Sequence, residues 1–135
     1  MRSRYLLDTN IASYVIKGNI PAVRCRIVQV PMAQLAISAV TEGELRYRTA
    51  RWPDAARLQT IVAEFLIRMT ILPWDSEAAQ HYGQIRAALE RQGQPMGDLD
   101  MMIAAHALAL GAVLVTNDQA FARIKQIKVE DWTKP

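Results

Sequence analysis

Five short apolar runs punctuate the chain: Arg4–Leu7, Leu35–Ser38, Thr70–Pro73, Ala112–Thr116 and Ile127–Val129. Segments of helical pattern and length separate them. Ile11–Lys17 is closed by Gly18, and Pro21 suits the first turn of a helix reaching about Val30. Val40–Ala50 follows the second run directly. Pro53 can open the next helix, whose stripe is Ala56, Leu58, Ile61, Val62, Phe65 and Leu66. Asp75 or Ser76 caps a long helix that stops at Gly93, and Asp98 opens one closed by Gly111. A short final helix follows Asn117. Strands that alternate with helices form a parallel sheet with helices on both faces. The run AVLVT at Ala112–Thr116 fits, being apolar without a break, as a strand covered on both sides must be. The predicted class is α/β, a single domain with a central parallel sheet of about five short strands.

A chain of 135 residues suits one hydrophobic core, and 51% hydrophobic residues suffice to fill it. Cys25 is the only cysteine, so an internal disulfide and a cysteine-rich metal site are both excluded. Such usage suits a reducing, cytoplasmic setting. Asp8 interrupts the only early apolar run, so no signal peptide is expected. The longest apolar stretch, Met101–Val115, is broken by His106 and Gly111 and is too short to span a bilayer.

Parallel strands place their carboxyl ends, and the helix starts that follow, on one side of the sheet. The acids fall there. Asp8 ends the first strand; Glu42 and Glu44 follow the second; Asp98 and Asp100 open a buried helix; Asp118 follows the fourth strand. Each has a structural explanation. Asn10 or Thr9 can cap the first helix, and Thr41 with Glu44 fits a capping box. Asp98 fits an N-cap, Asp100 favours the helix dipole, and Asn117 or Asp118 can cap the last helix. Together they are harder to explain by capping, because several carboxylates at one apolar edge repel one another and raise their pKa values. A cation among them removes that conflict.

The available ligands are oxygens. His81 lies mid-helix and His106 on an apolar helix, at no metal-ligand spacing, so Mg²⁺ or Mn²⁺ suits the set and zinc does not. Acid-only Mg²⁺ sites serve phosphate chemistry, where the ion orients a water, lowers its pKa and neutralises phosphoryl charge. Neither a P-loop nor a G-x-G-x-x-G run is present. With Asp8, Glu44, Asp100 and Asp118 set aside, 16 basic residues face 9 acidic ones, the surround that a polyanionic substrate needs. Residue spacing alone leaves Glu42 and Glu44 as alternatives, and likewise Asp98 and Asp100. Two helical residues two apart differ by about 200°, so only one of each pair faces the site.

YLLDTNI near the start, AISAVTEGELRY, GQIRAALERQGQPMGDLDMMIAAHALALGAVLVTND and the closing VEDWT resemble PIN-domain ribonucleases, and most closely VapC toxins of bacterial toxin–antitoxin pairs. The resemblance runs along nearly the whole chain and implies one PIN domain over residues 1–135. Its acids match Asp8, Glu44 before Leu45, Asp100 ahead of Ile103-Ala104-Ala105, and Asp118 after Thr116. It thereby selects Glu44 and Asp100 as catalytic, metal-holding acids. Asn117 stands as the alternative to Asp118. Asn10, Thr116 and Asp98 are expected beside these acids rather than on the ion. Further implications are a Mg²⁺-dependent endoribonuclease, an RNA substrate such as a tRNA anticodon stem-loop, and homodimerisation. A VapB-like antitoxin would cover the site and supply the only link to DNA. Arg46, Arg48, Arg86 and Arg91 are candidate RNA contacts. Phe65, Leu66 and Met69, with Tyr47 and Trp52, offer an apolar surface for a partner where they are not core.

Two rival readings are weaker. A haloacid-dehalogenase-like phosphatase needs a second acid two residues after the nucleophile, where Asn10 stands, and a distant catalytic lysine; only Lys17, Lys125, Lys128 and Lys134 exist. A non-catalytic co-repressor module would use the acids to cap helices or to dock a basic peptide.

Overall fold

The computed structural model describes residues 4–135. Five parallel strands, β1 (Tyr5–Leu7), β2 (Leu35–Ser38), β3 (Thr70–Leu72), β4 (Val113–Val115) and β5 (Lys128–Glu130), lie in the order β3-β2-β1-β4-β5. Six helices connect them: α1 (Thr9–Lys17), α2 (Pro21–Gln29), α3 (Ala39–Arg51), α4 (Ala56–Arg68), α5 (Ser76–Arg91) and α6 (Asp98–Leu110). The five expected strands and the sheet with helices on both faces are as the alternating pattern requires. From β1 the chain winds outward to β2 and β3, then returns to add β4 and β5 on the other side. The β1–β4 boundary is therefore the topological switch point, where open α/β sheets bind ligands beyond the carboxyl ends of their strands.

Side chains alternate across each strand, so neighbours feed opposite cores. Leu6, Ala36 and Leu114 pack with Ile85, Leu89 and Ile103 on the α5–α6 face. Leu7, Ile37 and Val115 pack with Ile11, Val23, Val62 and Phe65 on the other. Helix α6 is interior, as its all-round apolar pattern predicts, with Met101 and Ile103–Ala107 buried. His106 is a satisfied core residue: its Nδ1 is 2.8 Å from Ser38 Oγ. Gly111 ends α6 at φ 62°, where its N–H reaches Ala107 and Leu108 carbonyls. Among the described residues no helix is long and apolar enough to cross a membrane.

Several boundaries differ from the sequence expectation. Asp8 itself caps α1, accepting from Ile11 N–H, so Thr9 and Asn10 are inside the helix. Ser38 caps α3 because the helix starts directly at the strand end; Thr41 is buried a turn further on, and the capping box with Glu44 does not form. Gly97 rather than Asp98 precedes α6, with no side-chain cap. The segment after Pro53 turns before it coils, and α4 begins at Ala56. Asp118 caps the last segment, which is a 3-10 turn, Gln119–Arg123, rather than an α-helix. A second 3-10 turn, Met32–Gln34, has no signal in the apolar pattern. Phe65 and Leu66 are core, whereas Tyr47 and Trp52 are exposed.

Candidate active site

Asp8 leaves β1 at the switch point, and Asp118 leaves β4 three residues beyond Val115. The two are joined through Thr116. Its hydroxyl donates to Asp8 Oδ2 at 2.5 Å and accepts from the Asp118 N–H at 3.1 Å. Asp8 Oδ1 accepts from Ile11 N–H at 2.8 Å, so both oxygens of this buried carboxylate are oriented by neutral donors. Glu44, in the second turn of α3, is held from the other side. Thr9 donates to its Oε1 at 2.6 Å, and Thr41 Oγ1 lies 3.1 Å from Thr9 Oγ1. Asp100 sits in the first turn of α6 and is half-buried. Asn10 is exposed in the first turn of α1.

The acids sense one another. Burial pushes the Asp8 carboxyl up to about 6; the Thr116 and Ile11 hydrogen bonds oppose this, and the Asp100 and Asp118 charges add to it. Burial first, then the Asp118 and Glu44 charges, raise Asp100. Among the described residues no lysine or arginine forms an ion pair with Asp8, Glu44, Asp100 or Asp118. Four acids from four segments thus share one neighbourhood with only hydroxyl and amide partners. Their oxygens suit a hard divalent cation and not zinc. Among the described residues no three acid, histidine or cysteine side chains stand close enough together to hold one metal ion. A cation held by one or two carboxylates, with water filling its remaining positions, needs no such trio.

Several of the other sequence-selected residues are occupied elsewhere. Asp98 is exposed and 3.7 Å from Arg86. Arg86 also meets Glu90 and the Tyr82 hydroxyl, and Arg46 pairs with Glu42 one turn back. Glu42 is therefore tied to Arg46 while Glu44 faces Thr9. Arg91 is exposed at the end of α5. Arg48 donates to Ser13 Oγ of α1, beside Glu44. The sequence offers Thr9 and Thr41 only as helix caps, because the Thr9–Glu44 contact joins residues 35 apart that only the fold brings together.

The PIN domain family model matches residues 5–127. Over 131 residues the chain is 39% identical to the tRNA(fMet)-specific endonuclease VapC of Shigella flexneri, covering 96% of this chain and 98% of that one. It is 36% identical over 130 residues to Ribonuclease VapC2 of Haemophilus influenzae, with the same coverage. The backbone matches a chain of the DNA-bound VapBC structure from Salmonella typhimurium with a TM-score of 0.90 and 39% identity, covering 97% of this chain and 99% of that one. The acids at the strand ends and helix starts, the sheet order and these full-length likenesses agree: the chain belongs to the PIN-domain family, as a VapC-type ribonuclease.

Proposed function

We propose that the chain is a divalent-metal-dependent endoribonuclease toxin that cuts tRNA and is held in check by a VapB-like antitoxin. The observation that carries the metal dependence is the gathering of Asp8, Glu44, Asp100 and Asp118 without a basic partner among the described residues. A divalent cation, when bound there, orients and acidifies a water and neutralises charge on the scissile phosphate. Asp8 and Asp100 would hold it, with Glu44 and Asp118 holding its waters or a second ion. Thr116 and Thr9 hydrogen-bond Asp8 and Glu44 and so orient carboxylates that would hold it or its waters. His106 is no general base for the reaction, because it is buried against Ser38.

The RNA class and the partner rest on relatives. The Shigella and Salmonella curated proteins are named tRNA(fMet)-specific endonucleases, and the Salmonella and Rickettsia felis structures are DNA-bound VapBC complexes. An antitoxin side chain with positive charge would meet the same uncompensated acids.

Incubation of the purified chain with total tRNA, with Mg²⁺, with Mn²⁺ and with chelator, tests the reading. Cleavage at a few discrete positions that chelator abolishes, and that Asp8→Asn and Asp100→Asn abolish in folded protein, is the expected result. Full activity of folded Asp8→Asn would end the assignment. Tight antitoxin binding with no cleavage of any RNA would favour the co-repressor module instead.

A further inference from the structure

Helix α3 carries Glu44, Tyr47, Arg48 and Arg51 at spacings of three and four, which places them on one face. That face and the start of α6 bound an open cleft of about 520 Å³, within the range of small-ligand sites. Its apolar lining is Val40 with Leu99 and Met102, one residue before and two after Asp100 in the sequence. The cleft therefore lies between the two helices that supply Glu44 and Asp100, and Glu44 itself lines it. Tyr47 is 62% exposed, an uncommon fate for an aromatic ring among charged neighbours. The Arg51 guanidinium lies 5.5 Å from the Tyr47 ring centroid and 5.4 Å from that of Trp52, itself 56% exposed. Arg51, which lines the cleft, thus lies over two exposed aromatic rings, Tyr47 in the cleft and Trp52 next to it in sequence. Along the helix axis Tyr47 stands about 4.5 Å and Arg51 about 10 Å from Glu44, the length of one to three stacked nucleotides.

We propose that this α3–α6 cleft is a nucleobase subsite, in which Tyr47 and Arg51 stack on a base of the RNA strand next to the phosphate held at the acids. The proposal rests on the RNA-cleaving reading above and names its specificity surface. Aromatic rings and guanidinium planes are the groups on which unstacked RNA bases lie. Arg48, tied to Ser13 Oγ, and Arg51 give the walls the charge that a phosphate backbone complements.

The test uses the full chain and three RNAs. With an RNA that the wild type cuts, Tyr47→Ala should raise KM about tenfold with little change in kcat, the size of one lost stacking contact. Tyr47→Phe should restore KM. An abasic nucleotide beside the cleavage site should cost as much as Tyr47→Ala and add nothing to it. In chelator, a 2′-O-methyl RNA of the same sequence should quench tryptophan fluorescence, and Trp52→Phe should remove most of the quenching. Tyr47→Ala with an unchanged KM overturns the subsite. So does a Tyr47→Ala protein that turns from dimer to monomer in light scattering with activity following the dimer fraction, because the face is then a subunit contact. If the wild type cuts no RNA, the nuclease reading fails by itself, and the quenching experiment still decides the subsite.

Discussion

Asp8 does two things with its two oxygens. Oδ1 caps α1 and Oδ2 takes the Thr116 hydroxyl, so the carboxylate that ends β1 has its orientation set before any ligand arrives. Thr116 links that carboxylate to the backbone of Asp118. Its removal should loosen two acids at once. Thr116→Val keeps the shape and deletes the hydroxyl; the variant should need a higher divalent-cation concentration for half-maximal cleavage and lose about 10- to 100-fold in activity. Thr116→Ser should recover most of both. Thr9→Val should behave alike through Glu44. A titration of cleavage rate against Mg²⁺ for the four proteins decides this, and equal midpoints would refute the orienting role. The positions of the acids were legible in the sequence because strand ends and helix starts follow from apolar periodicity. Which residue caps which helix was not. Ser38 and Asp8 won over Thr41 and Asn10 because both helices begin without a linker at the strand end, and periodicity locates a boundary only to within a few residues.

At the scale of elements, α6 sets the precision of the site. It delivers Asp100 in its first turn, threads the α5–α6 core with Ile103 and Ala104, and meets α3 through His106 and Ser38. Its ends have different energetics. The start lacks a side-chain cap, whereas Gly111 at φ 62° closes the other end with two carbonyl contacts. A Cβ at Gly111 meets nothing within 4 Å, so Gly111→Ala isolates the backbone cost. It should destabilise by about 1 kcal/mol, without loss of activity in the folded protein. Ile103→Ala, at a site with no exposure, should cost about 2–5 kcal/mol. Urea unfolding curves measure both, and a Gly111→Ala protein as stable as the parent would show that the left-handed turn is not a constraint. The apolar character of α6 all round made its burial legible from sequence. The 3-10 form of Gln119–Arg123 was not, because five residues capped by Asp118 carry too little pattern to tell one helical form from another.

For the whole molecule, the sheet order forces anionic groups together at the β1–β4 switch point, and the fold must bear the consequence. The folded chain holds the Asp8 proton up to about pH 6, whereas an unfolded aspartate releases it near 3.8. Between those values the native state binds more protons than the unfolded state. Stability of the metal-free protein therefore falls as pH rises through that window, by on the order of 3 kcal/mol from Asp8. Asp100 is shifted upward for the same reasons and adds to the same slope. Asp8→Asn deletes the group while keeping a side-chain oxygen for the α1 cap. Metal-free Asp8→Asn should thus be more stable than the parent at neutral pH, and the advantage should vanish near pH 4. A divalent cation bound as proposed would act in the opposite sense, because it would bind the charged carboxylates of the native state and stabilise by about 2.7 kcal/mol at a hundredfold excess over Kd. Its gain should grow with pH over the window where the metal-free protein weakens. Chemical denaturation at about pH 4, 5.5 and 7, for parent and Asp8→Asn with and without Mg²⁺, separates the terms. A metal-free parent whose stability rises across that range would show that burial and the neighbouring acids do not hold a proton on Asp8 in the folded chain. A Mg²⁺ gain that persists undiminished in both Asp8→Asn and Asp100→Asn would place the cation elsewhere on the molecule.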